Sequence, residues 1–182
     1  MRTFIGINFS EKLKNEIYSL QNKLRKHVIK GRWKYSGNIH LTLKFLNEIS
    51  ISKKMEIDEA LRNNLNDIKP FSLYLSGLGI FKGTGSIRVL WLDIKGDTNK
   101  LVSLHEKIAT ELSKIGFPPD SRIYKPHITI AQDVVFDKSF DKVKELIGKI
   151  EFMPFSVDNI YLFKSEQIKN KRVYTKISEY GL

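Results

Sequence analysis

The chain has 182 residues, enough for one sizeable domain or two small intimate lobes, and its 41% hydrophobic and 28% charged side chains are the balance of an ordinary globular protein. The absence of cysteine excludes disulfides, thiolate metal sites and cysteine nucleophiles, and no apolar run reaches the ~20 residues that a membrane-spanning helix needs. Lys and Arg outnumber Asp and Glu by 31 to 20, a formal net charge of +11 that draws polyanions, although a merely solvated lysine coat gives the same count.

Residues 3–9 alternate and are rich in Phe and Ile, so they read as a first strand. The segment lacks the long apolar core and cleavage site of a signal peptide, and a cytoplasmic protein is expected. Ser10 stands where an N-cap would, ahead of a helical stripe of Leu13, Ile17, Leu20, Leu24 and Val28. Residues 39–46 alternate strongly and predict a strand, after which Ser52 can cap a second helix with Ile57, Ala60, Leu61 and Leu65 inward. Apolar runs at 71–78 and 87–94 flank Lys82-Gly83-Thr84-Gly85 and predict a strand pair around a hairpin tip. Asp97 or Thr98 can cap a third helix with the stripe Leu101, Leu104, Ile108, Leu112 and Ile115, stopped by Phe117-Pro118-Pro119-Asp120. A strand over 127–132, a short helix over 139–149 and strands near 155–163 and 172–177 complete the chain.

No linker or low-complexity tract divides these elements. Each half reads as two helices against a few strands, which predicts an α+β fold of two similar lobes within one unit, residues 1–182.

The two halves share one short pattern: His40-Leu41-Thr42-Leu43 and His127-Ile128-Thr129-Ile130. Side chains alternate along a strand, so each His shares a face with its Thr while the aliphatic residues point into a core. With four His and seven Thr in the chain, two such pairs arise by chance on the order of one time in a hundred. Transfer at a phosphodiester needs a base for the attacking oxygen and an acid for the leaving one. Histidine fills either role near neutrality, with no metal required. The Thr hydroxyls can hold the non-bridging oxygens.

On these residues the chain resembles the 2H phosphoesterases, and within them the RNA 2′,3′-cyclic phosphodiesterase (2′-5′ RNA ligase) group. Arg32-Trp33 with Asn38-Ile39-His40-Leu41-Thr42-Leu43-Lys44-Phe45-Leu46 resembles that group's first motif region, and Tyr124-Lys125-Pro126-His127-Ile128-Thr129-Ile130-Ala131 its second. Val89-Leu90-Trp91-Leu92 and Tyr161-Leu162-Phe163-Lys164-Ser165 resemble its mid-chain and C-terminal strands. The resemblance implies two lobes, each an antiparallel sheet with two helices, around a central cleft. It implies hydrolysis of RNA 2′,3′-cyclic phosphate ends, such as those of tRNA halves, to 2′-phosphates without a cofactor or metal, and a reverse 2′-5′ joining activity. By carry-over His40 is the general acid and His127 the general base, with Thr42 and Thr129 on the phosphate. Two positions depart from the group's pattern: Gln132 stands where Arg is common, and Asn47 where Gly often follows Phe-Leu.

Arg122, Tyr124, Lys125 and Gln132 are the further candidates for substrate binding, with Tyr124 stacking a base. Trp33 and Tyr35 read as core packing, His105 as a satisfied helix residue and His27 as a cation at a helix end. A monomer with no obligate protein partner is expected. Two other readings remain open: an RNA-binding module with little chemistry, and a phosphodiesterase for small cyclic nucleotides or 2′-5′ oligonucleotides.

Overall fold

The computed structural model describes residues 1–182 and has nine strands, four helices and a 3₁₀ turn. In chain order these are β1 (Arg2–Asn8), α1 (Glu11–Arg25), β2 (Val28–Trp33), the turn Ser36–Asn38, β3 (His40–Glu48), α2 (Ile51–Asn64), β4 (Phe71–Lys82), β5 (Ile87–Gly96), α3 (Thr98–Ser113), β6 (Ile128–Phe136), α4 (Phe140–Ile147), β7 (Phe155–Val157), β8 (Asn159–Ile168) and β9 (Lys171–Gly181). The strands form two antiparallel sheets. One has the order β3-β1-β8-β9 and the other β2-β6-β5-β4-β7. Helices α2 and α3 lie together against β9 and β3 of the first sheet, while α1 and α4 pair beside β2 of the second. The α+β class and the two lobes of one sheet and two helices are therefore present.

The lobes are not the two halves of the chain, contrary to the sequence-based expectation. The backbone passes from the first sheet to the second between β1 and β2, returns for β3, leaves again for β4 and comes back at β8. The expected strand over 155–163 is two strands for this reason. It breaks at Asp158, where the chain leaves the edge of one sheet for the interior of the other, and the Asp158 carbonyl accepts from the Leu182 amide at 2.9 Å. Buried aliphatic residues of both lobes form one continuous apolar cluster.

Local chemistry accounts for most element ends. Ser10 caps α1, its hydroxyl accepting from the Leu13 amide, and Leu13, Ile17, Leu20 and Leu24 are buried in one stripe. Val28 does not extend that stripe but opens β2, a strand that periodicity alone does not reveal. Val28 and Ile29 are β-branched and stiff in a helix, and β6 offers them a ladder in its place. The cap of α2 is Ser50 rather than Ser52: the Ser50 hydroxyl accepts from the Lys53 amide at 3.0 Å, while the Ser52 hydroxyl contacts Ser50 itself. Asp97 is the N-cap residue of α3, but its carboxylate is spent on the Ser72 amide. No helix is long and apolar enough to cross a membrane.

Candidate active site

The two His-x-Thr motifs occupy corresponding places in the two sheets. His40 opens β3 and His127 immediately precedes β6. Leu41, Leu43, Ile128 and Ile130 are buried, whereas both His and both Thr are only half-buried, as strand alternation predicts.

Each strand then bulges just past its Thr. In β3 the register shifts between the Gly6–Thr42 and Ile5–Lys44 pairs, and in β6 between Trp91–Thr129 and Leu90–Ala131. One extra residue moves the following side chain to the other face. The residue three after each Thr therefore lies on the His/Thr face: Phe45 on β3 and Gln132 on β6. Strict period two would have turned Gln132 away; the bulge turns it toward Thr129, opposite Val89 of β5 and Arg32 of β2.

The imidazoles are held by the same device. His40 Nδ1 lies 2.7 Å from the Asn38 carbonyl, and His127 Nδ1 lies 2.7 Å from the Lys125 carbonyl. A carbonyl only accepts, so each Nδ1 carries the hydrogen and each Nε2 is left as the reactive nitrogen. His40 Nε2 accepts from the Thr42 hydroxyl at 3.0 Å. Aromatic rings fix each imidazole further. Phe4 and Tyr174 stand 4.5 and 5.0 Å from the His40 ring, with Tyr174 edge-on, and Phe81 stands edge-on to His127 at 5.0 Å with Trp91 behind it. Gly79, opposite Trp91 in β4, leaves room for the indole that any Cβ would take.

The two motifs are tied to each other. Strands β3 and β6 are in contact, and the Tyr124 hydroxyl, three residues before His127, donates to the Thr42 carbonyl at 3.1 Å. Three residues span about 11 Å at most, so the second histidine is tethered close to the first motif. Lys44, buried on β3, donates to the Pro118 carbonyl at 2.9 Å and pairs with Asp120, pinning the loop that leads to His127. The buried Gln21 of α1 donates to both the Lys34 and the Ile130 carbonyls, joining the run-in of one motif to the strand of the other.

Burial holds the His40 pKa down at about 4, and Lys34 and Lys14 push it the same way against the bond to Asn38, so the ring is neutral at neutral pH. Lys34 is itself lowered by burial, with Arg32 and Arg172 adding to the effect. Burial raises the Tyr124 phenol above its ordinary range and keeps it a donor.

The other sequence candidates divide. Arg122 and Lys125 are exposed beside the second motif. Tyr124 has its hydroxyl on Thr42 and its ring stacked on His105, centroids 3.9 Å apart and planes 2° from parallel, so one face and the polar end are engaged within the protein. His105 is thus the support of that ring. Trp33 packs against the core under the Arg25 guanidinium, but Tyr35 is 73% exposed and is not a core residue. The aromatic flanks of the two imidazoles are not visible in the sequence. Their only signal is aromatic spacing on strands far apart in the chain. The hollow of ≈ 430 Å³ beside Arg62 and Tyr180 contains none of the site residues.

The comparisons with known proteins bear on this geometry. Residues 10–169 match the family model for the 2′-5′ RNA ligase superfamily. The chain is 34% identical over 181 residues to an RNA 2′,3′-cyclic phosphodiesterase of Thermotoga maritima, covering 98% of this chain and 94% of that one. It is 35% identical over 183 residues to one of Methanocaldococcus jannaschii, covering 99% and 100%. Among solved structures, TT0787 of Thermus thermophilus has a TM-score of 0.82 at 22% identity, covering 100% of this chain and 98% of that one. E. coli LigT complexed with 3′-AMP has a TM-score of 0.82 at 23% identity, covering 100% and 97%. The chain is an enzyme of the phosphodiesterase class and belongs to the 2′-5′ RNA ligase superfamily.

Proposed function

We propose that the protein hydrolyses RNA 2′,3′-cyclic phosphate ends to 2′-phosphates, without a metal, through His40 and His127. The observation that supports this reading best is the matched pair of Nδ1–carbonyl bonds, which leaves Nε2 as the reactive nitrogen of each histidine, at the starts of two strands that touch. His127 Nε2 takes a proton from water as its oxygen attacks phosphorus. The P–O3′ bond breaks, and His40 Nε2–H protonates O3′, leaving a 2′-phosphate and a free 3′-hydroxyl. Thr42 and Thr129 donate to the non-bridging oxygens, and Gln132, aimed by its bulge, adds a neutral donor where a guanidinium would make a charged fork.

A neutral His40 in the free protein cannot protonate a leaving group. Burial and, behind it, the two lysines hold that pKa down; the phosphate's negative charge, set beside the imidazole, favours the charged ring against both, so the proton arrives with the substrate. Arg122 and Lys125, exposed at the rim, contact RNA phosphates, while Tyr124 acts as a strut. With a 5′-hydroxyl in place of water as the nucleophile, the same groups would join a 2′,3′-cyclic end, such as that of a tRNA half, through a 2′-5′ bond, with O3′ again the leaving group. We place the protein in the cytoplasm as a monomer with no obligate protein partner.

The test is an oligoribonucleotide ending in a 2′,3′-cyclic phosphate, incubated with the protein in EDTA. Wild type converts it to the 2′-phosphate, while His40→Ala and His127→Ala each lose at least ~10²-fold in kcat with folding retained. Turnover that EDTA abolishes, or that survives both substitutions, would overturn the mechanism.

A further inference from the structure

We infer that Arg32, Lys34 and Arg172 form a second phosphate subsite, which takes the internucleotide phosphate next to the reacting end and makes the enzyme prefer an RNA strand to a cyclic mononucleotide. The inference rests on the RNA phosphodiesterase reading and names what that cleft holds beyond the cyclic phosphate.

Three separate parts of the chain bring these cations together. Arg32 lies opposite Gln132 in the β2–β6 ladder, on the face that carries Thr129. Lys34 follows β2, its amide donating to the Ile130 carbonyl at 3.0 Å and its own carbonyl accepting from Gln21. Arg172 is the second residue of β9, two residues before Tyr174. Residues two apart in a strand share a face, and Tyr174 stands edge-on to the His40 ring, so Arg172 is on the His40 side of its sheet. Asn38 fixes that placement: its side-chain amide donates to the Arg172 carbonyl at 2.6 Å, while its own carbonyl accepts from His40. The cations thus run from the strand of the second motif to the histidine of the first.

Their charge is not balanced within the protein. Asp133 pairs with Arg32, but Lys34 and Arg172 have no carboxylate partner, and Arg172 reaches only the Ser165 hydroxyl. Lys34 is half-buried, and after burial itself the like charges of Arg32 and Arg172 are what push its pKa down. An anion on this row relieves the repulsion, and a polymer phosphate held there brings negative charge to the lysine that acts on His40. A cyclic mononucleotide fills the catalytic position and leaves the row empty.

The experiment compares kcat/KM for a nucleoside 2′,3′-cyclic phosphate with that for a trinucleotide ending in the same group. A third substrate is the trinucleotide with an uncharged methylphosphonate beside the cyclic end. Wild type, Lys34→Gln and Arg172→Gln are assayed, and the ratio of trinucleotide to mononucleotide is read, so that losses common to both substrates cancel. The expected result is a wild-type preference of at least ~10-fold, cut to near unity by the methylphosphonate. Each substitution cuts it similarly, with no further loss when methylphosphonate and Arg172→Gln are combined. A ratio unchanged in both variants, or a methylphosphonate effect as large in Arg172→Gln as in wild type, overturns the subsite. If no cyclic phosphate is turned over at all, it is the phosphodiesterase reading that fails. Fluorescence anisotropy with trinucleotides ending in a 3′-phosphate, with and without the methylphosphonate, then decides the subsite by itself: weaker binding to the uncharged analogue in wild type but not in Arg172→Gln supports it, and equal binding overturns it.

Discussion

His40 is neutral in the folded protein because burial and the neighbouring Lys34 and Lys14 outweigh its bond to the Asn38 carbonyl. An unfolded chain has no such constraint, and its histidine takes up a proton as pH falls through ~6.5. Between that pH and about 4 the unfolded state therefore binds more protons than the folded one, so stability falls with pH across this window and levels off below it. A tenfold difference in proton affinity between the two states is worth ~1.4 kcal/mol, which makes the His40 share on the order of 3 kcal/mol. His40→Gln should remove that share. Urea denaturation at pH 7 and pH 4 should show wild type losing about 3 kcal/mol more than the variant, and parallel losses would contradict the assignment. Tyr124 makes a different kind of contribution, because its hydroxyl touches β3 rather than the substrate. Tyr124→Phe keeps the stack on His105 but frees the Thr42 carbonyl, at ~1 kcal/mol of stability. Steady-state kinetics should then show kcat down several-fold with KM nearly unchanged, since misplaced groups cost the chemical step before they cost binding. A raised KM with kcat intact would instead return Tyr124 to the substrate-binding surface.

At the scale of elements, Gln21 shows how a helix contributes to a site it does not line. Its amide donates to the carbonyls of Lys34 and Ile130 from the buried side of α1. Gln21→Leu fits an apolar stripe but leaves buried carbonyls short of a donor, at ~1–3 kcal/mol. Thermal denaturation should show that loss, and kcat should fall with it because the run-in to the first motif loses its hold on β6; an unchanged melting temperature would mean that water replaces the amide. The same example marks where legibility in the sequence ends. Helix stripes such as Leu13–Ile17–Leu20–Leu24 and the alternation around His40 are local patterns, and the elements appear where those patterns lie. Strand β2 escapes a sequence reading because Val28 to Trp33 have no period of their own and become a strand only against β6. The bulge that aims Gln132 is likewise a property of the pairing with β5, and Asn47 occupies left-handed backbone at φ 59°, explaining a place where glycine is common. The motif histidines are legible because they repeat. Their Nδ1 partners are not, because a backbone carbonyl has no signature in sequence.

For the whole molecule the decisive feature is the path of the chain between sheets. Four crossings, at β1 to β2, β2 to β3, β3 to β4 and β7 to β8, mean that neither lobe is made from one continuous stretch. Helix α3 joins two strands of the five-stranded sheet yet lies against β3 of the other. Neither lobe can therefore be cut out as a single segment of chain, and the apolar cluster continues from one to the other. Two lobes linked in this way should unfold together although they resemble two domains in outline. Differential scanning calorimetry should therefore give one transition whose calorimetric and van't Hoff enthalpies agree, near ~130 kcal/mol for a chain of this length at ~0.7 kcal/mol per residue. His40→Ala and His127→Ala, though in different sheets, should shift that single peak without splitting it. Two resolved transitions, or a van't Hoff enthalpy near half the calorimetric one, would mean that the lobes are independent and that the cleft between them opens by separation rather than by local motion of its loops.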